Sequence, residues 1–198
     1  MKQENTIIGY HGTKKENIQL ICQKNFEFNN DKDNSLFLGY GVYFFYSYGD
    51  AIDWNIKKFV EDTGYLPRYK VILHNYGVIE SKIMVESNQI LDLDDKDKLY
   101  RLEILIEKFI VKFLQNQEYI RAKNKTAAII NILYNKKLLN KKVLSKTFIE
   151  QINIKGLQSF KNYPRKMFCV KDVNVIKENI ENQDLSESLF ESIIYFYK

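Results

Sequence analysis

Gly9-Tyr10-His11-Gly12-Thr13 and, further along, Leu38-Gly39-Tyr40-Gly41-Val42-Tyr43-Phe44-Phe45-Tyr46 are the two stretches on which the fold turns. In the first, an apolar run over 6–10 ends on His11-Gly12. Thr13-Lys14-Lys15-Glu16 follows, a Ser/Thr with Glu three residues on, which is the pattern of a capping box. The local expectation is strand, sharp turn, then a helix starting at Thr13 that buries Ile18, Ile21 and Cys22. In the second, the polar stretch EFNNDKDNS at 27–35 reads as a surface loop leading into a buried strand. Gly39-x-Gly41 permits backbone conformations closed to other residues. After Tyr48-Gly49-Asp50, the positions Ala51, Trp54, Ile56, Phe59 and Val60 suit a helix with one apolar face, capped by Asp50.

Outward from these stretches, 76–85 alternates in part and predicts a strand, with Ile90-Leu91-Asp92-Leu93 extended after a turn. Leu99, Leu102, Ile106, Phe109, Ile110 and Phe113 recur at helical spacing over 96–117, and another helix is expected over 125–135. These helices are read as core packing. Met167-Phe168-Cys169-Val170 is a short continuous apolar strand, and 172–180 is expected to turn into a helix. A last amphipathic helix, capped by Asp184, carries Leu185, Leu189, Phe190, Ile193, Ile194 and Tyr197 and docks on the body.

The chain has 198 residues, 45% of them hydrophobic, with two prolines and no Gly/Ser-rich linker, which predicts a single domain over 1–198. No fixed-period repeat is present. The first ten residues lack the apolar core of a signal peptide, and no run is long and apolar enough for a membrane span, so a cytoplasmic location without membrane partners is expected. Cys22 and Cys169 show no ligand spacing; two buried thiols are expected, with no metal site and no disulfide. The net charge of +5 comes with 30 basic residues, nearly all scattered lysines. Arginine, with its planar fork, would be the stronger sign of specific phosphate recognition.

His11-Gly12-Thr13, Gly41-Val42-Tyr43-Phe44 and, eleven residues after Tyr43, Trp54 together resemble the diphtheria-toxin-like and poly(ADP-ribose)-polymerase-like ADP-ribosyltransferases. The hallmark of that family is a His-Tyr-Glu triad on three separate strands. The third family element, a strand starting with Glu and running into Asp, is matched in register by Met167-Phe168-Cys169-Val170-Lys171-Asp172, with Val175-Ile176 in step behind it. Met167 stands where the glutamate would be. The resemblance implies an α+β fold, a split antiparallel β-sheet with flanking helices and a helical middle section. Residues 95–165 contribute nothing specific to the family.

What the resemblance implies for chemistry centres on NAD as substrate. The nicotinamide ring is already cationic, so it leaves as a neutral group without a general acid. Catalysis must hold the ring, orient the ribose and stabilise the oxocarbenium-like sugar. By resemblance, the catalytic positions are His11, Tyr43 and Met167, and the NAD-binding positions are His11, Gly12, Thr13, Gly41, Tyr43 and Trp54. Gly12 main-chain groups would pair with the carboxamide, and His11 would bond a ribose hydroxyl of the adenosine half. Tyr43 would stack on the ring, with Trp54 on the opposite face. Ala51 replaces a family serine that helps grip the carboxamide. Tyr43 and Trp54 also read simply as core aromatics, and His74 is given no role.

Removing a preorganised contact such as the missing glutamate costs about a hundred- to a thousandfold in rate, so polymer formation is not expected. Three readings of Met167 stay open: assistance by a group on the acceptor, a glutamate from elsewhere such as Glu80 or Glu118, or a catalytically silent fold that binds NAD, ADP-ribose or a partner. The expected function is an NAD-dependent mono-ADP-ribosyltransferase acting on a protein or nucleic-acid acceptor. Such a chain suits a bacterial toxin or phage-defence effector, or one delivered to other cells, and an antitoxin or regulatory partner fits that role. The alternatives are a silent binding or interaction module and an NAD glycohydrolase with water as acceptor.

Overall fold

The computed structural model of the chain describes residues 4–27, 37–151 and 162–197. Val42-Tyr43-Phe44-Phe45 forms strand β2 (Val42–Phe45), and all four side chains are buried. Period-two alternation sends Tyr43 and Phe45 to one face of the sheet and Val42 and Phe44 to the other. Both faces are therefore covered, which is why the sequence reads as one unbroken apolar run. In order, the chain forms β1 (Glu4–Lys14), α1 (Lys15–Lys24), β2, α2 (Tyr48–Thr63), α3 (Tyr69–Asn75), β3 (Tyr76–Glu86) and β4 (Ile90–Asp92). It continues with α4 (Lys96–Leu114), α5 (Gln117–Arg121), α6 (Lys125–Asn135), β5 (Val143–Gln151), β6 (Asn162–Val170), β7 (Ile176–Asn182) and α7 (Glu187–Ile194).

Among the described residues the strands make one seven-stranded sheet in the order β4-β5-β6-β2-β1-β3-β7. Each neighbouring pair is antiparallel except β4 with β5. The chain is thus mixed α+β with a mostly antiparallel sheet. On the Tyr43 face, apolar side chains of α2, α4, α6 and α7 pack with Phe45, Met167 and Cys169. On the Phe44 face, Ile18 of α1 and Phe26 cover Ile79, Ile83 and Phe168. The two halves of the sheet are joined at β1 and β2 by one partner pair, Tyr10 with Phe45. By contrast, β1 pairs with β3 along its whole length, from Glu4 opposite Glu86 to Lys14 opposite Tyr76.

That long ladder overrides the local signal at Thr13. Thr13 and Lys14 stay in β1 opposite Gly77 and Tyr76, there is no sharp turn after Gly12, and α1 starts at Lys15 without a side-chain cap. Ile18 is buried as expected, but Cys22 is exposed and only Cys169 is a buried thiol. Asp50 is not a cap either; it lies inside α2, whose cap position is Ser47, and its carboxylate faces Arg165. The helix expected over 172–180 is absent. Val173–Val175 make a single 3-10 turn, and Ile176–Asn182 become β7, because the second edge of β3 offers a ladder that a solvent-facing helix lacks. The last helix is capped by Ser186, not Asp184. β5 has no counterpart in the sequence reading. The expected loop at 27–35 lies, apart from Glu27, outside the described residues.

Candidate functional site

The two halves of the sheet part where the two quoted motifs meet. With Tyr10 opposite Phe45, a continued antiparallel ladder would set Gly12 opposite Tyr43, but pairing ends before it. The Tyr43 carbonyl receives the His11 Nδ1–H instead, at 2.8 Å. A carbonyl can only accept, so Nδ1 carries the proton and Nε2 of the neutral ring is left as an acceptor. Burial pushes the His11 pKa below its ordinary value, against the Tyr43 carbonyl bond, which acting alone would raise it. The ring is therefore neutral at neutral pH. Phe26 and Phe44 hold it edge-on, with centroids 5.0 and 5.9 Å away.

Gly12 follows directly, and its missing side chain is what lets α2 approach. A Cβ there would stand 2.5 Å from the Ala51 carbonyl oxygen and 2.6 Å from Asn55 Oδ1. Thr13 is half-buried in β1, its hydroxyl 3.3 Å from the Asn17 amide. Gly41 precedes β2 at the point where a side chain would meet the Cys169 sulfur.

Tyr43 projects from the face opposite to His11, so the two residues meet through a ring and a main-chain carbonyl, not through two side chains. The Tyr43 hydroxyl donates to the Gly39 carbonyl at 2.6 Å and accepts from the Leu38 N–H at 2.8 Å, and the residue is 9% exposed. Gly39 takes a φ of 73° to make this turn. Trp54 packs on Phe45, centroids 6.1 Å apart, with the Lys58 ammonium 4.9 Å over its ring. Among the described residues Trp54 and Tyr43 share no ring contact. Met167 pairs with Phe45 and lies buried on the Tyr43 face. The structure thus brings His11, Gly12 and Tyr43 to one place and sets Trp54 and Met167 against Phe45. Of the two other glutamates considered, Glu80 accepts from the Asn182 amide beyond β1, and Glu118 lies 3.5 Å from the Tyr40 hydroxyl.

Several polar groups here were not anticipated from the sequence. Arg165, two residues before Met167 in β6, is 3% exposed. Its Nε is 3.1 Å from the Asp50 carboxylate, and its Nη2 donates to Asp53, which also accepts from the Tyr197 hydroxyl. Its guanidinium lies 5.7 Å from the Phe45 ring centre. Lys171 donates to the carbonyls of Leu38, at 2.6 Å, and Tyr40, and Asn131 accepts from the Tyr40 N–H at 2.7 Å. Burial pushes the Lys171 pKa down. The turn before Tyr43 is thereby pinned from outside on both sides. Asn55 is 1% exposed, and its Nδ2 donates to the Gly77 carbonyl at 3.0 Å while its Oδ1 is buried without a partner among the described residues. An orphaned buried acceptor of this kind costs about 1–3 kcal/mol. Asn55 and Asn131 stand between apolar neighbours and Arg165 between Pro164 and Lys166, and such local context does not name the partner.

Cavities of about 300 Å³ and 650 Å³ lie elsewhere, the first against α2 and α3 and the second beside Leu66–Val71 and α7. Neither is lined by His11, Tyr43, Trp54 or Met167. The opening at His11 is the gap left between β1 and β2 where their pairing stops. Among the described residues no group of His, Cys, Asp and Glu is arranged to hold a metal ion, and no helix is long and apolar enough to cross a membrane. Compared with protein-family models, with curated proteins and with solved structures, the chain matches none.

Proposed function

We propose that this chain binds NAD across the β1–β2 opening and acts as a mono-ADP-ribosyltransferase on a macromolecular acceptor. The observation that carries the reading is the His11 Nδ1–H bond to the Tyr43 carbonyl, made where the strand ladder stops. It leaves a neutral ring whose Nε2, without a partner among the described residues, can accept from a hydroxyl, which is what a ribose offers. Gly12, just past the last strand pair, supplies main-chain groups for the carboxamide. The pinned turn over Leu38–Gly41 keeps the Tyr43 carbonyl in place, so the imidazole is oriented before ligand arrives.

No carboxylate stands at Met167 to stabilise the sugar cation, so transfer relies on a group of the acceptor and proceeds one unit at a time. The lysine-rich surface makes both protein and nucleic acid candidate acceptors. The test is incubation with labelled NAD and cell lysate. Label should enter macromolecules, survive either nuclease or protease but not both, and vanish with His11→Ala. Absence of transfer together with absence of NAD binding overturns the reading.

A second reading, a silent module that binds without transferring, is favoured by one specific feature. Both hydrogen-bonding functions of the Tyr43 hydroxyl are engaged inside the protein, and Met167 is packed in the core. NAD binding without label transfer or nicotinamide release would select it. Nicotinamide release with no modified macromolecule would instead mark a glycohydrolase.

A further inference from the structure

Helix α4 carries two apolar faces. Leu102 and Phe113 are buried, and Leu99, Leu105, Ile106 and Phe109 pack beside them against the core. On the opposite side of the helix runs a second series, Tyr100, Ile104, Glu107, Val111 and Leu114, spaced four, three, four and three residues apart. That is the heptad seam of a coiled coil, apolar at every position but Glu107. The core does not account for it: Tyr100 and Val111 are each 63% exposed and Leu114 is 56% exposed. A surface helix that only covers a core has one apolar stripe and turns polar residues to solvent. A second stripe left in water over this length calls for another helix laid along it.

The charges beside the stripe decide what lies there. With Ile104 and Val111 at heptad positions a, and Tyr100, Glu107 and Leu114 at d, Glu103 falls at g and Arg101 and Lys108 fall at e. One edge of the seam is acidic and the other basic. Two copies of this helix lying parallel about a two-fold axis bring g of one against e of the other, so Glu103 faces Lys108 of the second copy, twice by symmetry. Antiparallel pairing would set Arg101 against Lys108 instead. Glu107 leans toward the acidic edge, and in the parallel pair that edge meets the basic edge of the second copy. One polar residue in the seam costs stability and fixes register. Among the described residues neither Glu103 nor Lys108 has an ion pair in its own chain. We propose that α4 is a self-association surface, through which two copies of this chain pair in a parallel, two-stranded seam. The seam is opposite the core-facing side of α4, so the two bodies lie on either side of the pair. The assignment does not rest on the reading of the β1–β2 opening, whose residues lie on other elements.

The test is sedimentation velocity of the full chain across a dilution series, which should show a dimer at micromolar concentration whose share falls on dilution. Val111→Lys, at an exposed position, should give a monomer with the native circular dichroism spectrum. Glu103→Lys turns two attractive pairs into repulsive ones and should weaken the dimer about tenfold. Adding Lys108→Glu to that variant should restore it. Direction is read by cross-linking. Leu114→Cys in a Cys22→Ser chain should form a disulfide-linked dimer on mild oxidation, because a parallel seam sets the two positions side by side. An antiparallel pair would hold them on the order of 20 Å apart. A native chain that stays monomeric at high micromolar concentration leaves the stripe to another occupant and overturns the proposal. A dimer that survives Val111→Lys, a charge swap that fails to restore pairing, or a dimer that does not cross-link at position 114 overturns it as well.

Discussion

His11 is the residue whose state decides most. Its folded pKa lies below the ordinary value of 6.5 because burial penalises the charged ring, and the Tyr43 carbonyl bond only partly offsets this. Below 6.5 the unfolded chain therefore binds more protons than the folded one. The contribution is complete above the unfolded pKa and is lost as pH falls from there through the folded value. His11 should titrate below 6.5 in an NMR pH series, with Nδ1 protonated and Nε2 bare at neutral pH; an Nε2–H tautomer would contradict the bond to Tyr43. The cysteines give a second check at this scale. Cys169 is buried, its thiol pushed up by burial, whereas Cys22 is exposed. A thiol reagent should label the folded chain once, at Cys22, and a second thiol reacting at a similar rate would mean that the sheet around Cys169 is open.

Among the helices, α2 packs most extensively on β1. Gly12→Ala would drive a methyl into the Ala51 carbonyl and the Asn55 amide, so denaturant unfolding should show a loss of about 1–3 kcal/mol. An unchanged midpoint would mean that α2 does not sit so close. Arg165→Met removes the buried guanidinium from Asp50 and from Asp53, which keeps Lys57 at 3.2 Å, and should cost about 3–5 kcal/mol. Adding Asp50→Asn to that variant should recover part of the loss, and full additivity would contradict the pairing. The same elements show what was legible in the sequence. The strand over 76–85 and the helices over 96–117 and 125–135 follow their apolar period, because burial of one face is written locally. Thr13 and 172–180 do not, because both are claimed by the two edges of β3, and no local pattern announces a ladder with a distant strand. Arg165 with Asp50, and Asn55 with Gly77, escaped the reading for the same reason: the residue types were visible and the pairing was not.

For the molecule as a whole, the order of the motifs along the chain led to the meeting of His11, Gly12 and the Tyr43 carbonyl. Of the two readings given for Tyr43 and Trp54, the one as core aromatics describes where they lie: the Tyr43 side chain faces the helices and Trp54 settles on Phe45. Side-chain direction depends on strand phase, which the quoted motifs leave open until β1, β2 and β6 are in register. NAD recognition is therefore expected at the opening between β1 and β2 more than between a pair of stacked rings. The ring of His11 should matter more for NAD than the indole of Trp54, whose truncation removes contacts with Phe45 and Lys58. The most direct measurement is calorimetric titration of the purified chain with NAD, native beside His11→Ala. Saturable NAD binding that weakens at least about tenfold in the variant, the loss of one well-placed hydrogen bond, is the predicted result. No heat of binding in the native chain at millimolar NAD, or equal affinity in both, would contradict the account.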